Sequence, residues 1–354
     1  MSVQIMGWDI GGAHLKAVGL DAAGRIAFAR QEACPLWRGL DQLDAALDRI
    51  LAALPGPRPS CHAVTMTGEL ADHFPNRSAG VRALTERMQH RFAGVPVWLF
   101  AGVHRLLPAE QLSEADTLRV ASANWLASGL WVAQRHPAAL FIDVGSTTAD
   151  LLPIANHTPQ HRGYTDSERM RHDELVYTGV ARTPAMTVAE RVPLGGHWAP
   201  AMAEVFATTA DIYRLTGELP EPGDQFPAAD QGAKTAAGSR QRLARQFGHD
   251  AEDFDDRDWA ALALYLRERQ LMRLREAVEV QLSRGLIGPH APLVGAGIGR
   301  FLIETLALRL QRPYVDFGTC FDAVPDATDF VAADCGPAAA VARLALQQST
   351  GCTP

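Results

Sequence analysis

Two stretches of this chain share an unusual build, and together they limit what it can fold into. Phe141 to Ile154, FIDVGSTTADLLPI, is apolar, then polar from Asp143 to Asp150, then apolar again. Phe141, Ile142, Leu151, Leu152 and Ile154 suit two buried strands. Asp143, Gly145, Ser146, Thr147, Thr148 and Asp150 make the tight turn between them. Two acids, a glycine and three hydroxyls are poorly placed in so short a turn unless something charged sits among them. Glycine admits a close ligand, and turn N–H groups with Ser/Thr hydroxyls form a nest for an anion. The acids then need a cation, and a divalent ion bridging phosphates supplies one. Taken alone, the stretch also fits a plain hairpin with a hydroxyl-rich turn. The plan repeats near the N-terminus in Ile5 to Leu20, IMGWDIGGAHLKAVGL, with Asp9, Gly11, Gly12, Ala13, His14 and Lys16. Further on, Pro292 to Leu308, PLVGAGIGRFLIETLAL, gives a short apolar strand, Gly295, Gly297 and Gly299, and then an amphipathic helix.

Composition narrows the class. At 354 residues there is room for two domains, and 47% apolar with 21% charged residues is the make-up of a soluble globular protein. A net charge of −7 suggests neither a nucleic-acid nor a membrane-surface partner. No apolar run approaches the roughly 20 residues needed to span a bilayer, and the N-terminus enters a strand with no basic region or cleavage site. Cys34, Cys61, Cys320, Cys335 and Cys352 are odd in number and contain no CxxC, so neither a disulfide framework nor a zinc site is expected. The cytoplasm is the expected location. Lys16 and Lys234 are the two lysines among 33 basic residues. In so arginine-rich a chain, a surviving lysine marks a place where the wide guanidinium fork does not fit.

Along the chain, Gln4–Ile10, His14–Leu20 and Arg25–Cys34 are expected as strands. Leu40, Leu43, Leu47, Ile50, Leu51 and Leu54 have the spacing of one buried helix face, ended by Pro55-Gly56-Pro57. His62–Met66 and Val95–Phe100 follow as strands and Arg82–Phe92 as a helix. Ala115–Gln134 is expected as one apolar helix. Residues 155–175 are expected to be loop, Val176–Thr183 extended, and Trp198–Thr216 to contain a helix. Leu219–Arg240 is expected as a mobile loop. Trp259–Leu286 is expected as a long helix behind Asp255, Asp256 and Asp258, Tyr314–Phe317 as a strand, and Cys335–Gln347 as a closing helix. The fold class is α/β, with domain I at 1–137 plus 330–354, domain II at 138–329, and a polar insertion near 217–255.

The order of the two acid–glycine hairpins and the glycine-rich strand–helix turn resembles the actin-like ATPase superfamily of sugar kinases, heat-shock ATPases and hydantoinase A-like proteins. The resemblance implies two ribonuclease H-like domains facing each other across a cleft. Residue by residue, it implies Asp9 and Asp143 as holders of Mg²⁺ or another divalent cation. Gly11, Gly12, Ala13, Gly145, Ser146, Thr147 and Thr148 would line phosphates, and Lys16 would neutralise them. Gly295, Gly297 and Gly299 would stand at the phosphate or nucleotide site. The chain departs from the kinases of this group: Ala13 stands where many carry Ser or Thr, and no aspartate presents itself as a sugar kinase's base.

Those departures point to one branch. DIGGAHLK, Met66-Thr-Gly-Glu-Leu-Ala-Asp72, Ala123-Asn-Trp125, the Asp143 hairpin, Gly179-Val-Ala-Arg-Thr-Pro184 and Gly295-Ala-Gly-Ile-Gly299 resemble the hydantoinase A-like, tetrahydromethanopterin-linked C1-transfer proteins, a group that includes the methanofuran-biosynthesis synthase of archaea. The resemblance implies an alkyl transferase that joins an aminomethylfuran-methyl diphosphate to the phenol oxygen of γ-glutamyltyramine and releases pyrophosphate. Bacteria make a related cofactor, methylofuran, so a tyrosine-type acceptor is a further option for this arginine-rich chain. Glu69, Asp150 or Trp125 would steady a furfuryl cation-like transition state, and Glu69, Asp150 or His14 would take the phenol proton. Thr67, Asn124, Arg182, Lys234 and Arg240 are the candidate substrate contacts, the last three for the acceptor's carboxylates. No organic cofactor, nucleic acid or membrane partner is expected, and a homodimer is allowed. The alternative reading is an ATP-dependent kinase or ATPase. A dinucleotide-binding oxidoreductase fits the glycines at 295–299 with Asp316 but leaves both hairpins unexplained. A scaffold without chemistry sits poorly with the intact Asp9, Lys16, Asp143 and Asp150.

Overall fold

A computed structural model describes residues 2–102, 106–324 and 330–349. Cys352, the last residues of the chain and the proposed boundary at 329–330 on its domain II side lie outside them. The chain builds two mixed sheets. The first comprises β1 (Ile5–Ile10), β2 (His14–Leu20), β3 (Ile26–Ala33), β4 (Cys61–Met66), β5 (Val97–Phe100) and β6 (Leu106–Pro108), in the order β3-β2-β1-β4-β5-β6. β1 is buried throughout because it is central and covered on both faces, so its run of apolar residues needs no alternation. α1 (Asp41–Ala53) buries Leu43, Ala46, Leu47 and Ile50, and α2 (Arg77–Arg91) is capped by the Asn76 side chain.

The expected helix over 115–134 is two helices, α3 (Glu114–Val120) and α4 (Asn124–Ala133). The break is at Ser122, which has φ of 50°. Its hydroxyl donates to the buried Glu69 carboxylate at 2.7 Å, while Asn124 turns its side chain back onto the Trp125 N–H. Apolar periodicity runs through the break and hides it.

The second sheet starts with β7 (Ala138–Val144), β8 (Ala149–Ala155) and β9 (Thr158–Pro159). Residues 155–175 are less loop-like than expected, since α5 (Asp166–Arg171) opens with a Thr165–Glu168 capping box. Of Val176–Thr183 a short part is strand, in β10 (Leu175–Val176). A small hairpin of β11 (Arg191–Leu194) and β12 (His197–Pro200) precedes α6 (Thr209–Thr216). The insertion carries α7 (Ala236–Gln246), so the expected loop over 219–240 ends at Thr235, the N-cap of that helix. α8 (Asp256–Ser283) follows its own Asp255–Asp258 capping box. β13 (Leu293–Ala296), α9 (Arg300–Arg309), β14 (Tyr314–Asp316) and α10 (Gly336–Ser349) complete the chain. The sheet order is β10-β8-β7-β13-β14. α10 returns to the first sheet, where Ala338–Ala342 share a core with Ile5, Val18, Leu20, Ala63 and Trp131. Cys34, Cys61, Cys320 and Cys335 are free thiols.

Candidate active site

The β1–β2 and β7–β8 hairpins close with the same four-residue turn. The Gly11 N–H donates to the His14 carbonyl and the Gly145 N–H to the Thr148 carbonyl, each at 2.9 Å. Strand register then pairs Asp9 with Lys16 in the first hairpin and Asp143 with Asp150 in the second. The turns line one cavity of about 550 Å³. Its walls include Asp9, Gly11, Gly12, Ala13, His14, Lys16, Thr67, Asn124, Asp143, Gly145, Ser146, Thr147, Thr148, Asp150 and Arg182.

Each turn is held from behind. Cys34 and Leu36 donate backbone N–H groups to the Ala13 and Gly12 carbonyls, and Val180, Ala181 and Arg182 donate to those of Gly145 and Ser146. Gly179 has to be glycine, because a Cβ there would lie 2.3 Å from the Thr147 nitrogen. Gly297 is equally constrained: its φ is +80°, and a Cβ would lie 2.2 Å from the Val144 carbonyl oxygen and 2.4 Å from an Asp143 carboxylate oxygen. Gly299 packs on the Val144 side chain, and Gly295 faces the Tyr314 ring. None of the three glycines expected at the phosphates lines the cavity: Gly297 and Gly299 stand behind the second turn, and Gly295 lies within β13 against Tyr314. Gly297 and Gly299 allow the end of β13 and the start of α9 to press against that turn.

The electrostatics are those of a site short of positive charge. Burial raises Asp9 to about 6, against the opposing pull of Lys16 and an Asn124 hydrogen bond. Burial likewise raises Asp143 to about 7 despite Lys16, with Asp150, Asp9 and Asp334 adding to the rise. Lys16 is held above its ordinary value: burial works against its charge, and the Asp143 and Asp9 carboxylates outweigh it. Burial, Lys16 and Arg182 together push His14 down to about 3, so its imidazole is neutral. Its Nε2 is buried without a hydrogen-bond partner among the described residues.

Asp9 and Asp143 fit a divalent cation. Among the described residues no group of three or more His, Cys, Asp or Glu side chains could hold a metal ion alone. Two buried carboxylates lining one cavity are oxygen donors of the kind that holds Mg²⁺, which takes one or two carboxylates together with substrate phosphates and water.

Several expected site residues lie elsewhere. Glu69 is buried behind Ser122, and it is Ser122 that reaches the cavity wall. The Lys234 ammonium donates to the carbonyls of Asp224 and Phe226 and pairs with the Asp224 carboxylate, so it serves its own loop. Arg240 pairs with Asp256. Sequence reasoning missed Arg169, which is buried, bonds Asp150 at 2.7 Å and lies over the Trp125 ring. The Thr165-x-x-Glu168 signature before it was the available signal. Trp37, Ser122, Asp166 and Tyr177 also line the cavity, and no sequence pattern marks them.

The profile of the hydantoinase/oxoprolinase family matches residues 60–317. The chain belongs to that family. The family match includes the second hairpin and begins after the first. Beyond it, the chain is 28% identical over 289 residues to the (4-{4-[2-(gamma-L-glutamylamino)ethyl]phenoxymethyl}furan-2-yl)methanamine synthase of Methanocaldococcus jannaschii, covering 80% of this chain and 83% of that one. The enzyme of the same name from Methanococcus vannielii is 32% identical over 82 residues, 23% of this chain and 36% of that one. Among solved structures, nucleotide-free acetone carboxylase shares the fold with a TM-score of 0.54 at 12% identity, over 96% of this chain and 70% of that one. Component A of the Acidaminococcus fermentans (R)-2-hydroxyglutaryl-CoA dehydratase aligns with a TM-score of 0.48 at 11% identity, over 99% and 100% of the two chains. This hydantoinase/oxoprolinase family member thus has the actin-like α/β fold of two mixed sheets.

Proposed function

We propose that this protein is a cytoplasmic synthase of methanofuran-type cofactor biosynthesis. It would join a furan-methyl diphosphate to a phenol as an aryl ether. The observation that carries the reading is its similarity, over four-fifths of its length, to a synthase named for a phenoxymethyl-furan product. The site supports it: two phosphate-type turns, two buried aspartates and Lys16 face one cavity that Trp125 and Tyr177 also line.

In the reaction, the bond between the furan-methyl carbon and the diphosphate oxygen breaks, and the electron pair leaves with pyrophosphate. The phenol oxygen forms the new bond to that carbon and gives up its proton. Gly11, Gly12, Ala13 and Ser146–Thr148 would cradle the diphosphate through N–H and hydroxyl groups. Lys16 would balance the charge that grows on it, and preorganised charge of this kind is commonly the main source of an enzyme's rate enhancement. Asp9 and Asp143 would hold a divalent cation, which when bound supplies further neutralisation of the leaving group. The neutral His14 imidazole, whose buried Nε2 has no hydrogen-bond partner among the described residues, would donate a hydrogen bond to a phosphate oxygen. Asp150, bonded by Arg169 at 2.7 Å, would take the phenol proton. Asn124, whose amide lies 3.5 Å from Asp9, and Thr67 would fix the Asp9 side of the cavity.

The test is pyrophosphate release by purified protein with Mg²⁺, a synthetic aminomethylfuran-methyl diphosphate and γ-glutamyltyramine, tyramine or tyrosine as acceptor. Release that requires the phenol, with an ether product by mass, is expected. Release of ADP from ATP, with none of this chemistry, would make the protein a kinase or ATPase.

A further inference from the structure

Arg182 is half-buried in the cavity wall and forms no ion pair with a carboxylate among the described residues. Its guanidinium lies over two aromatic rings at once, 5.2 Å from the centroid of Trp37 and 5.0 Å from that of Phe226. Those rings stack on each other at 5.7 Å and an interplanar angle of 30°. A guanidinium lying on aromatic faces has its plane fixed and its N–H donors turned outward along its edge. One of those donors is 3.4 Å from the Thr147 hydroxyl, and the Arg182 backbone N–H bonds the Ser146 carbonyl at 2.8 Å. The cation is therefore mounted at the second phosphate turn.

The mount joins the two sheets' halves of the molecule. Trp37 follows β3, whereas Phe226 is carried by the segment between α6 and α7. That segment crosses the cleft. Gln225 donates to the buried Gln31 carbonyl on β3 at 2.8 Å, and the Phe226 ring meets the His14 ring edge-on at 5.1 Å. Lys234 clasps it from within through the Asp224 and Phe226 carbonyls. Three acceptors around one small ammonium is an arrangement that a planar fork cannot copy.

We infer that Arg182 binds the diphosphate and that Trp37, Phe226 and Lys234 are positioning residues that hold its guanidinium edge-on to the phosphate turns. This rests on the reading of those turns as a diphosphate site. It reassigns Arg182 from the acceptor's carboxylates, because the side chain stands beside Thr147. A charge-assisted, two-point contact suits a phosphoryl group, and a lysine in its place would keep the charge and lose the geometry.

The test is calorimetric titration of inorganic pyrophosphate, with Mg²⁺, into the full chain. Arg182→Gln and Arg182→Lys are each expected to weaken binding about tenfold or more. Phe226→Leu and Lys234→Met are expected to weaken it severalfold, and Phe226→Tyr to retain wild-type affinity, with melting temperatures showing that each variant is folded. A merely structural role for Phe226 would not give an affinity that follows aromaticity. Pyrophosphate affinity within twofold of wild type in a folded Arg182→Lys or Phe226→Leu overturns the assignment, as does a loss confined to the KM of the phenol. Pyrophosphate binding that depends on Arg182, in a protein that makes no ether, would leave this inference standing and remove the synthase reading.

Discussion

Lys16 and Asp150 hold the same place in two like hairpins and carry opposite charge. Each lies directly across the strand pair from the aspartate that precedes its turn, Lys16 opposite Asp9 and Asp150 opposite Asp143. Facing the two turns into one cavity brings Lys16 under the field of both Asp9 and Asp143, while Asp150 takes its counter-charge from Arg169.

On the proposed reaction, Lys16→Met should therefore lower kcat/KM by about a hundredfold or more, through loss of the charge that would balance the leaving group. Lys16→Arg should recover little of it. Pyrophosphate release at saturating phenol measures this, and wild-type turnover in a folded Lys16→Met would remove the lysine from the mechanism.

Chelation should abolish turnover, and added Mg²⁺ should restore it. Asp143→Asn should not be restored at any Mg²⁺ concentration at which the wild type is saturated. Activity in excess EDTA would leave Asp9 and Asp143 without a cation to hold.

The glycine within the first turn and the glycine behind the second differ in the space around them, and this separates stability from chemistry. Gly12 has open space where a Cβ would go, so Gly12→Ala should leave the melting temperature unchanged. Gly179→Ala forces a methyl against the Thr147 backbone and should cost about 1–3 kcal/mol in denaturant unfolding, with a fall in kcat. Equal stability of the two variants would contradict the packing described.

Arg169 is buried, with Asp150 and the Glu174 carbonyl as partners. Removing one member of a buried pair leaves the other uncompensated, so Arg169→Leu should destabilise the protein by about 3–5 kcal/mol. The double variant Arg169→Leu/Asp150→Leu should recover part of that loss. Additive losses would mean that the pair is not coupled.

His62 gives the fold a pH dependence. It is buried, stacks on Phe92 at 3.7 Å and accepts the Trp8 indole N–H at 3.1 Å, so its ring is neutral. Burial lowers it from 6.5 to about 3. Above pH 6.5 neither state binds the proton and the group contributes nothing to pH dependence. Between pH 6.5 and 3 the unfolded chain takes up the proton and the folded one does not. Stability then falls by roughly 1.4 kcal/mol per pH unit from this group. Urea unfolding at pH 7.5 and 5.0 should show the wild type losing about 2 kcal/mol more than His62→Gln. Equal losses would show that His62 is protonated in the fold.

Much of the fold and of the cavity is legible in the sequence because the two hairpins and the glycine turn are local. Strand, turn and strand lie within some twenty residues, and their order along the chain indicates which fold brings them together. What stays hidden depends on tertiary contacts. The kink at Ser122 is set by Glu69, far away in sequence, and apolar spacing runs through it undisturbed. Arg169 and Phe226 sit in polar segments whose composition resembles loop, and only the approach of Asp150 and Trp37 gives each its place. Gly297 is a point of close approach, as its sequence context suggests, yet the approaching group is Val144 rather than a ligand. The scarcity of lysine points to two special positions. Lys16 faces the cavity, whereas Lys234 ties a loop.

That scarcity makes the protein a natural target for amine chemistry. The chain offers two ε-amines, one in the floor of the cavity and one beneath the segment that crosses it. Lys16 is held protonated by Asp9 and Asp143, so its amine should resist reductive methylation for as long as those two carboxylates stay in place. Its protection would then report the integrity of the charged cluster without any substrate present.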